Sequence, residues 1–333
     1  RKYFLTNQGQ FTFSPELSSL LQCPEGMDGT DTNTTYQNYI LVKSKEDIAR
    51  LLEFYPTDSS ESKQNLYKQT NDIDLSGDDW TWQEANFTDV YDGQGYKLSN
   101  LVISGNYHST GLFSNMKNAS LKNIVLENPQ ITTNYADTDS TVGSICGTMI
   151  SSKINNCSVI NALIKGKKYV GGILGTYDST TSGELSYIIN SSFNGIIQYT
   201  SNNASAKIGG LLAFQDDNKS AIHLINNIFN GYIQNPYPND IDSVFISGQI
   251  ESGFIINSFC HGKYSLIGIN TYSITASENS VINCYVDINN FTDEEKLLIP
   301  KKMTLNDSTY KKQSLYSLLG DDYLEGDLII SGT

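Results

Sequence analysis

An asparagine that returns at a near-constant interval constrains this chain more than any other feature. Six segments align without gaps: Leu121-Lys122-Asn123-Ile124, Ile154-Asn155-Asn156-Cys157, Ile188-Ile189-Asn190-Ser191, Leu224-Ile225-Asn226-Asn227, Ile255-Ile256-Asn257-Ser258 and Val281-Ile282-Asn283-Cys284. The third position is asparagine each time, and successive asparagines are 33, 34, 36, 31 and 26 residues apart. Such a period marks a repeat architecture, in which each unit buries its apolar face only against its neighbours. Identical amides stacked at a rung spacing of about 4.8 Å can donate to one neighbour and accept from the other. The spacing therefore predicts a structural ladder that places Asn123, Asn156, Asn190, Asn226, Asn257 and Asn283 in one column at a bend.

Two further blocks repeat with it. Gly111-Leu112-Phe113, Val142-Gly143-Ser144-Ile145-Cys146-Gly147, Val170-Gly171-Gly172-Ile173-Leu174-Gly175 and Ile208-Gly209-Gly210-Leu211-Leu212-Ala213 precede asparagine segments, with glycines to turn the backbone and an apolar pair to point inward. Strand-like stretches follow, as in Ala162-Leu163-Ile164-Lys165-Gly166, Gly195-Ile196-Ile197-Gln198 and Gly231-Tyr232-Ile233-Gln234. Three short strands per turn predict an all-β fold, a right-handed parallel β-helix over residues 92–290.

Outside that span the pattern changes. Residues 1–37 read as an N-terminal leader or cap. Residues 38–91 read as a small α/β cap with lead-in strands: Tyr39-Ile40-Leu41-Val42 is a strand, and Ser44 to Tyr55 a helix capped by Ser44 with Asp47 and ended by Pro56. Tyr91-Asp92-Gly93-Gln94-Gly95-Tyr96 carries tight-turn chemistry. Residues 291–333 read as a partly helical C-terminal cap covering the last apolar rung.

The 333 residues fit one elongated domain, since a solenoid absorbs length without enlarging a single core. A formal charge of −14 argues against nucleic acid or an anionic membrane surface as partner. Lys165, Lys167 and Lys168 form the nearest approach to a basic patch and read as a solvated turn. No apolar run is long enough to span a bilayer. The five cysteines, Cys23, Cys146, Cys157, Cys260 and Cys284, show no zinc or redox spacing. The opening without methionine suggests an excised piece of a longer chain.

The run Thr70-Asn71-Asp72-Ile73-Asp74-Leu75-Ser76-Gly77, the tryptophans after it, Tyr91 to Leu101, Gly111-Leu112-Phe113 and the Val-Gly-Gly-Ile-Leu-Gly block together resemble the GLUG-motif repeat proteins over about residues 38–290. That resemblance implies a bacterial surface or secreted module of the kind found in adhesins and in the non-catalytic repeat regions of immunoglobulin A peptidases. It implies no catalytic residue, because the motif positions are scaffold.

Chemistry is sparse. His108, His223 and His261 form no metalloprotease motif, and no Gly-x-Ser-x-Gly elbow exists. Asp72, Asp74, Asp78 and Asp79, or Asp216 and Asp217, offer hard oxygens for calcium but lack an EF-hand spacing, and read as strand ends and solvated carboxylates. Glycan cleavage would need paired carboxylates; Glu127, Asp137, Asp139, Asp178, Glu184, Asp240, Asp242, Glu251 and Glu278 instead scatter through the variable links. Tyr177, Tyr187, Tyr199, Tyr232, Tyr237, Tyr264, Tyr272 and Tyr285 offer sugar platforms or protein contacts, or else rung packing.

The expectation is an extracellular or cell-surface adhesin or binding module, free-standing or part of a larger surface protein or pilus-like appendage. Its ligand would be a host or neighbouring-cell glycan or protein. The sequence implies no catalytic residue, metal or cofactor, and no membrane insertion. A secreted polysaccharide lyase or hydrolase is the rival, and a structural stalk a third reading.

Overall fold

The computed structural model describes residues 39–53, 64–77, 82–135, 139–178, 185–201, 205–215 and 221–234, together with short strands at Phe4–Leu5 and Phe11–Thr12 and between Asp242 and Val286. The described chain is all-β apart from one helix, Lys45–Glu53. Phe4–Leu5 and Phe11–Thr12 pair antiparallel; every other pairing among the described strands is parallel. These parallel strands form sheets of nine, twelve, six and five strands.

The chain visits the sheets in a fixed order. Ser109–Thr110 lies in the five-stranded sheet, Phe113–Lys117 in the six-stranded sheet, Ser120–Lys122 in the nine-stranded sheet, and Val125–Glu127 with Gln130–Thr133 in the twelve-stranded sheet. Thr141–Val142 then returns to the five-stranded sheet, and the same sequence of visits repeats through Cys146–Ile150, Lys153–Asn155 and Ser158–Gly166. Ser158–Gly166 and Ser192–Tyr199 each run on as one strand through what the sequence suggests are two, with a register shift between Val159 and Ala162. The nine-stranded sheet starts at Tyr39–Val42, which pairs with Leu66–Gln69.

In-register pairing sorts side chains into columns. Leu121, Ile154, Ile188, Leu224 and Ile255 are consecutive partners across the nine-stranded sheet, and all are buried. Leu126, Val159, Phe193 and Phe229 form a second buried column, with the rings of Phe193 and Phe229 stacked 6.0 Å apart. Side chains alternate between sheet faces along the strands, while at the corners consecutive pairs such as Ile145 and Cys146, or Ile173 and Leu174, both enter this shared core.

Tight corners join the five- and six-stranded sheets, and the glycine blocks sit there. A Cβ on Gly171 would lie 1.9 Å from the Leu174 carbonyl oxygen, and one on Gly147 would lie 2.3 Å from Ser109 Oγ. At the amino-terminal end, Ser44 Oγ accepts from Asp47 N, while Asp47 Oδ2 accepts from Lys43 N, so orphan amides at the helix start are satisfied. Ile48, Leu51 and Leu52 turn one helix face into the core. Among the described residues no helix is long and apolar enough to cross a membrane.

Candidate functional site: asparagine columns and a lysine-aromatic corner

Asn123, Asn156, Asn190 and Asn226 each sit where the chain leaves the nine-stranded sheet for the twelve-stranded one. Asn123, Asn156, Asn190 and Asn226 have φ of 56°, 56°, 51° and 58°. That left-handed region is costly for most L-residues, and asparagine tolerates it better than any β-branched residue would. Asn156 Nδ2 donates to Asn123 Oδ1 at 2.6 Å, and Asn226 Nδ2 donates to Asn190 Oδ1 at 3.2 Å. Asn123 Nδ2 in turn donates to Asp92 Oδ1 at 2.9 Å. Asn257 and Asn283 lie outside the described residues.

Asp92 is 4% exposed, with Lys122 Nζ 3.5 Å from its Oδ2. Burial alone would raise its carboxyl, but hydrogen bonds from Asn123 and Gln94 and the Lys122 charge outweigh burial and hold it below the usual carboxylate range. Gln94 N donates to Asp92 Oδ1, and Tyr96 N to the Gly93 carbonyl, closing the turn read from Asp92-Gly93-Gln94-Gly95.

A second asparagine series appears at the next bend. Asn100, Asn128 and Asn161 have φ of 58°, 55° and 53°. Asn100 Nδ2 donates to Asp74 Oδ1, Asn194 Oδ1 accepts from Asn161 N, and Asn194 Nδ2 donates to the Asn230 carbonyl. Its sequence signal was an asparagine four or five residues after Asn123, Asn156, Asn190 and Asn226, namely Asn128, Asn161, Asn194 and Asn230. A third, buried column follows the first by one residue: Ser191 Oγ accepts from Cys157 N, Asn227 Oδ1 from Ser191 N, and Ser258 Oγ from Asn227 N. Each side chain satisfies an amide that the bend removes from the strand ladder.

The remaining chemistry-bearing residues are spoken for or sit elsewhere. Asp74 also accepts from Ser76 N and Oγ, and Asp72 Oδ1 accepts from Lys97 N, so both serve strand ends. Asp78, Asp79, Asp216 and Asp217 lie outside the described residues. No group of three or more histidine, cysteine or acidic residues able to hold a metal occurs among those described. Glu127 pairs with Lys97 at 2.9 Å. His108 is exposed; His223 is half-buried on Ile222–Ile225, where desolvation lowers its pKa. Of the tyrosines read as either surface contacts or rung packing, Tyr177 and Tyr199 are fully buried and Tyr187 is 4% exposed. Cys146 and Cys157 are free and buried, and desolvation pushes the Cys157 thiol up to about 12.

The lysine run departs from a solvated turn. Only a short link separates Gly166 from Tyr169, and Lys168 is 8% exposed. Its Nζ donates to Ser205 Oγ and lies 5.1 Å from the centre of the Tyr169 ring. Tyr169 stacks on Phe214 with ring centres 4.6 Å apart and planes 8° from parallel. Register explains the meeting: Thr141, Tyr169 and Lys207 are successive partners in the five-stranded sheet, while Thr148, Thr176 and Phe214 are successive partners in the six-stranded sheet. The two rows face each other across the corner, as the 3.0 Å contact between Thr141 Oγ1 and Thr148 Oγ1 records. Burial, with Lys207 nearby, lowers the Lys168 pKa against the opposing pull of Asp139.

Comparison with known proteins gives likenesses that include the following two. Halomucin of Haloquadratum walsbyi is 28% identical over 184 residues, which is 50% of this chain but 2% of halomucin's length. A crystal structure from Bacteroides ovatus, of a protein provisionally named an immunoglobulin A1 protease, covers 73% of this chain and 82% of its own at 14% identity and a TM-score of 0.42. No family model matches the chain.

Proposed function

We propose that the chain is an extracellular binding module or adhesin of GLUG-repeat type, a right-handed parallel β-helix with its ligand-contacting residues on the links between strands. The observation carrying this reading is the fixed order in which the chain visits its parallel sheets, each passage in register with the last. Constant strands with unequal links suit a scaffold that varies at its margin: the link from Tyr177 to Ser186 is longer than its counterpart from Ile150 to Lys153.

Binding fits the described carboxylates better than glycan cleavage does. Asp72, Asp74, Asp92 and Glu127 are engaged by backbone, asparagine or lysine neighbours, whereas glycosidic cleavage needs two carboxyls flanking an open substrate. The small fraction of halomucin that matches supports a module within a longer protein, and the acidic charge favours glycan or protein ligands over nucleic acid. A glycan and cell-surface binding screen paired with a product-release assay tests the reading. Binding without turnover is expected; released product would establish the lyase or hydrolase instead, and neither binding nor turnover would leave a stalk.

A further inference from the structure

We infer that one outward face of the twelve-stranded sheet is a docking surface for a neutral, linear polysaccharide. The inference rests on the binding-module reading and adds a face of the scaffold itself to the contacts placed on the links. Register builds the face: Val102, Gln130, Leu163, Ile196 and Tyr232 are successive partners across five passages. The isoleucine that follows each of Val102, Gln130, Leu163, Ile196 and Tyr232 points the other way and is buried in the core. Two residues beyond the row runs a polar one, Ser104, Thr132, Lys165, Gln198 and Gln234, in the same register. Two residues before it stands the second asparagine series, from Asn100 to Asn230. A mainly apolar row is thus bordered on both sides by amides and hydroxyls.

Three observations say what covers this face. The first is openness. Outward apolar side chains on the nine-stranded sheet, Tyr187, Ile189 and Ile225, are covered to 4–5% exposure, whereas no member of the apolar row is buried and Val102 and Ile196 are 54% and 40% exposed. The second is charge. Acids outnumber lysines and arginines by 36 to 22 in the chain, yet neither the apolar row nor its two borders holds a carboxylate, and Lys165 is their one cation. Net negative charge repels a polyanion at long range, and a single lysine does not reverse that, so the face suits an uncharged ligand. The third is size. Five strands about 4.8 Å apart and three outward columns span on the order of 20 Å by 14 Å, roughly 300 Å² in plan, against about 800 Å² per partner in a standard protein interface. A second copy of the chain is therefore too large a partner for it. An added peptide strand needs an unpaired edge, but Gln130–Thr133 and its neighbours toward Tyr232–Gln234 are paired on both sides. A sugar polymer meets all three conditions. Its C–H faces lie along the apolar row, with the Tyr232 ring as one platform, and its hydroxyls reach the amides and hydroxyls on either side.

Affinity electrophoresis of the whole chain through native gels containing hydroxyethylcellulose, galactomannan or xylan, with polygalacturonate as the anionic comparison, tests this at two ionic strengths. At least one neutral polymer is expected to retard the chain, to an extent that salt changes little. Ile196→Glu should weaken that retardation about tenfold or more, because it sets an unpaired charge in the apolar row, and Tyr232→Ala should weaken it severalfold. Leu185→Gln, at an exposed apolar residue outside the row, should change nothing. Circular dichroism melts separate lost binding from lost folding. Wild-type retardation of folded Ile196→Glu and Tyr232→Ala chains overturns the site while leaving the module reading intact, as does a preference for polygalacturonate. A concentration-dependent dimer in analytical ultracentrifugation that Ile196→Glu abolishes gives the face to a second copy and overturns the inference. No retardation by any neutral polymer also overturns it, and attachment to cells or proteins in that case keeps the module reading. Release of sugar from the polymer overturns the module reading itself.

Discussion

Replacing Asn156 separates the two physical roles of the asparagine column. Its φ of 56° is one contribution, and its 2.6 Å hydrogen bond from Nδ2 to Asn123 Oδ1 is the other. Glycine removes the amide but adopts positive φ freely; the lost hydrogen bond is worth about 1 kcal/mol, and glycine's greater unfolded-state freedom adds roughly 0.5–1 kcal/mol. Alanine removes the same amide and must also hold a left-handed backbone, at roughly 1–2 kcal/mol. Asn156→Gly is therefore expected to destabilise the chain by about 1–2 kcal/mol and Asn156→Ala by about 2–3 kcal/mol. Urea unfolding followed by far-ultraviolet circular dichroism measures both, through shifts in midpoint at constant slope. Alanine tolerated as well as glycine would refute the backbone explanation. Glycine matching wild type would refute the amide contribution.

Phe193→Ala opens a hole beneath the stacked Phe229 in a fully buried column and should cost about 3–5 kcal/mol in the same urea assay. Gly171→Ala forces a Cβ onto the Leu174 carbonyl and should lower the melting temperature markedly, whereas substitution of exposed Lys153 should not. Because the folded Asp92 carboxyl is held below its unfolded value, its contribution is present above the unfolded pKa near 4 and is lost as pH falls through the folded pKa. A pH series of melts should thus show a shallower acid limb for Asp92→Asn than for wild type. Cys146 and Cys157 should resist N-ethylmaleimide in the native chain and react once urea unfolds it, as read by peptide mass spectrometry.

The sequence exposed what recurs in one place per passage and hid what depends on two passages meeting. The asparagine interval was legible because each bend requires the same backbone geometry, so one residue type returns at Asn123, Asn156, Asn190 and Asn226. The series Asn100, Asn128 and Asn161 serves a similar bend but does not stand out from the background of a chain rich in asparagine. Tyr177 in isolation fits a surface aromatic as well as rung packing; its partners in register, Met116 and Met149, both buried, reveal an inward position. Lys168 looks like part of a solvated turn because lysines usually are, but the short link before Tyr169 leaves no loop to carry it outward. The Tyr169–Phe214 stack was invisible because it joins different strands of different passages, and only the register brings them together.

Stacking of successive passages in one register is tested most directly by a crystal structure that resolves the side-chain amides of Asn123, Asn156, Asn190, Asn226, Asn257 and Asn283. The prediction is a single column, with each amide on neighbouring passages within hydrogen-bonding reach and the backbone at every one of the six in the left-handed region. Asparagines dispersed over different faces, or adopting extended backbone at the bend, would contradict it.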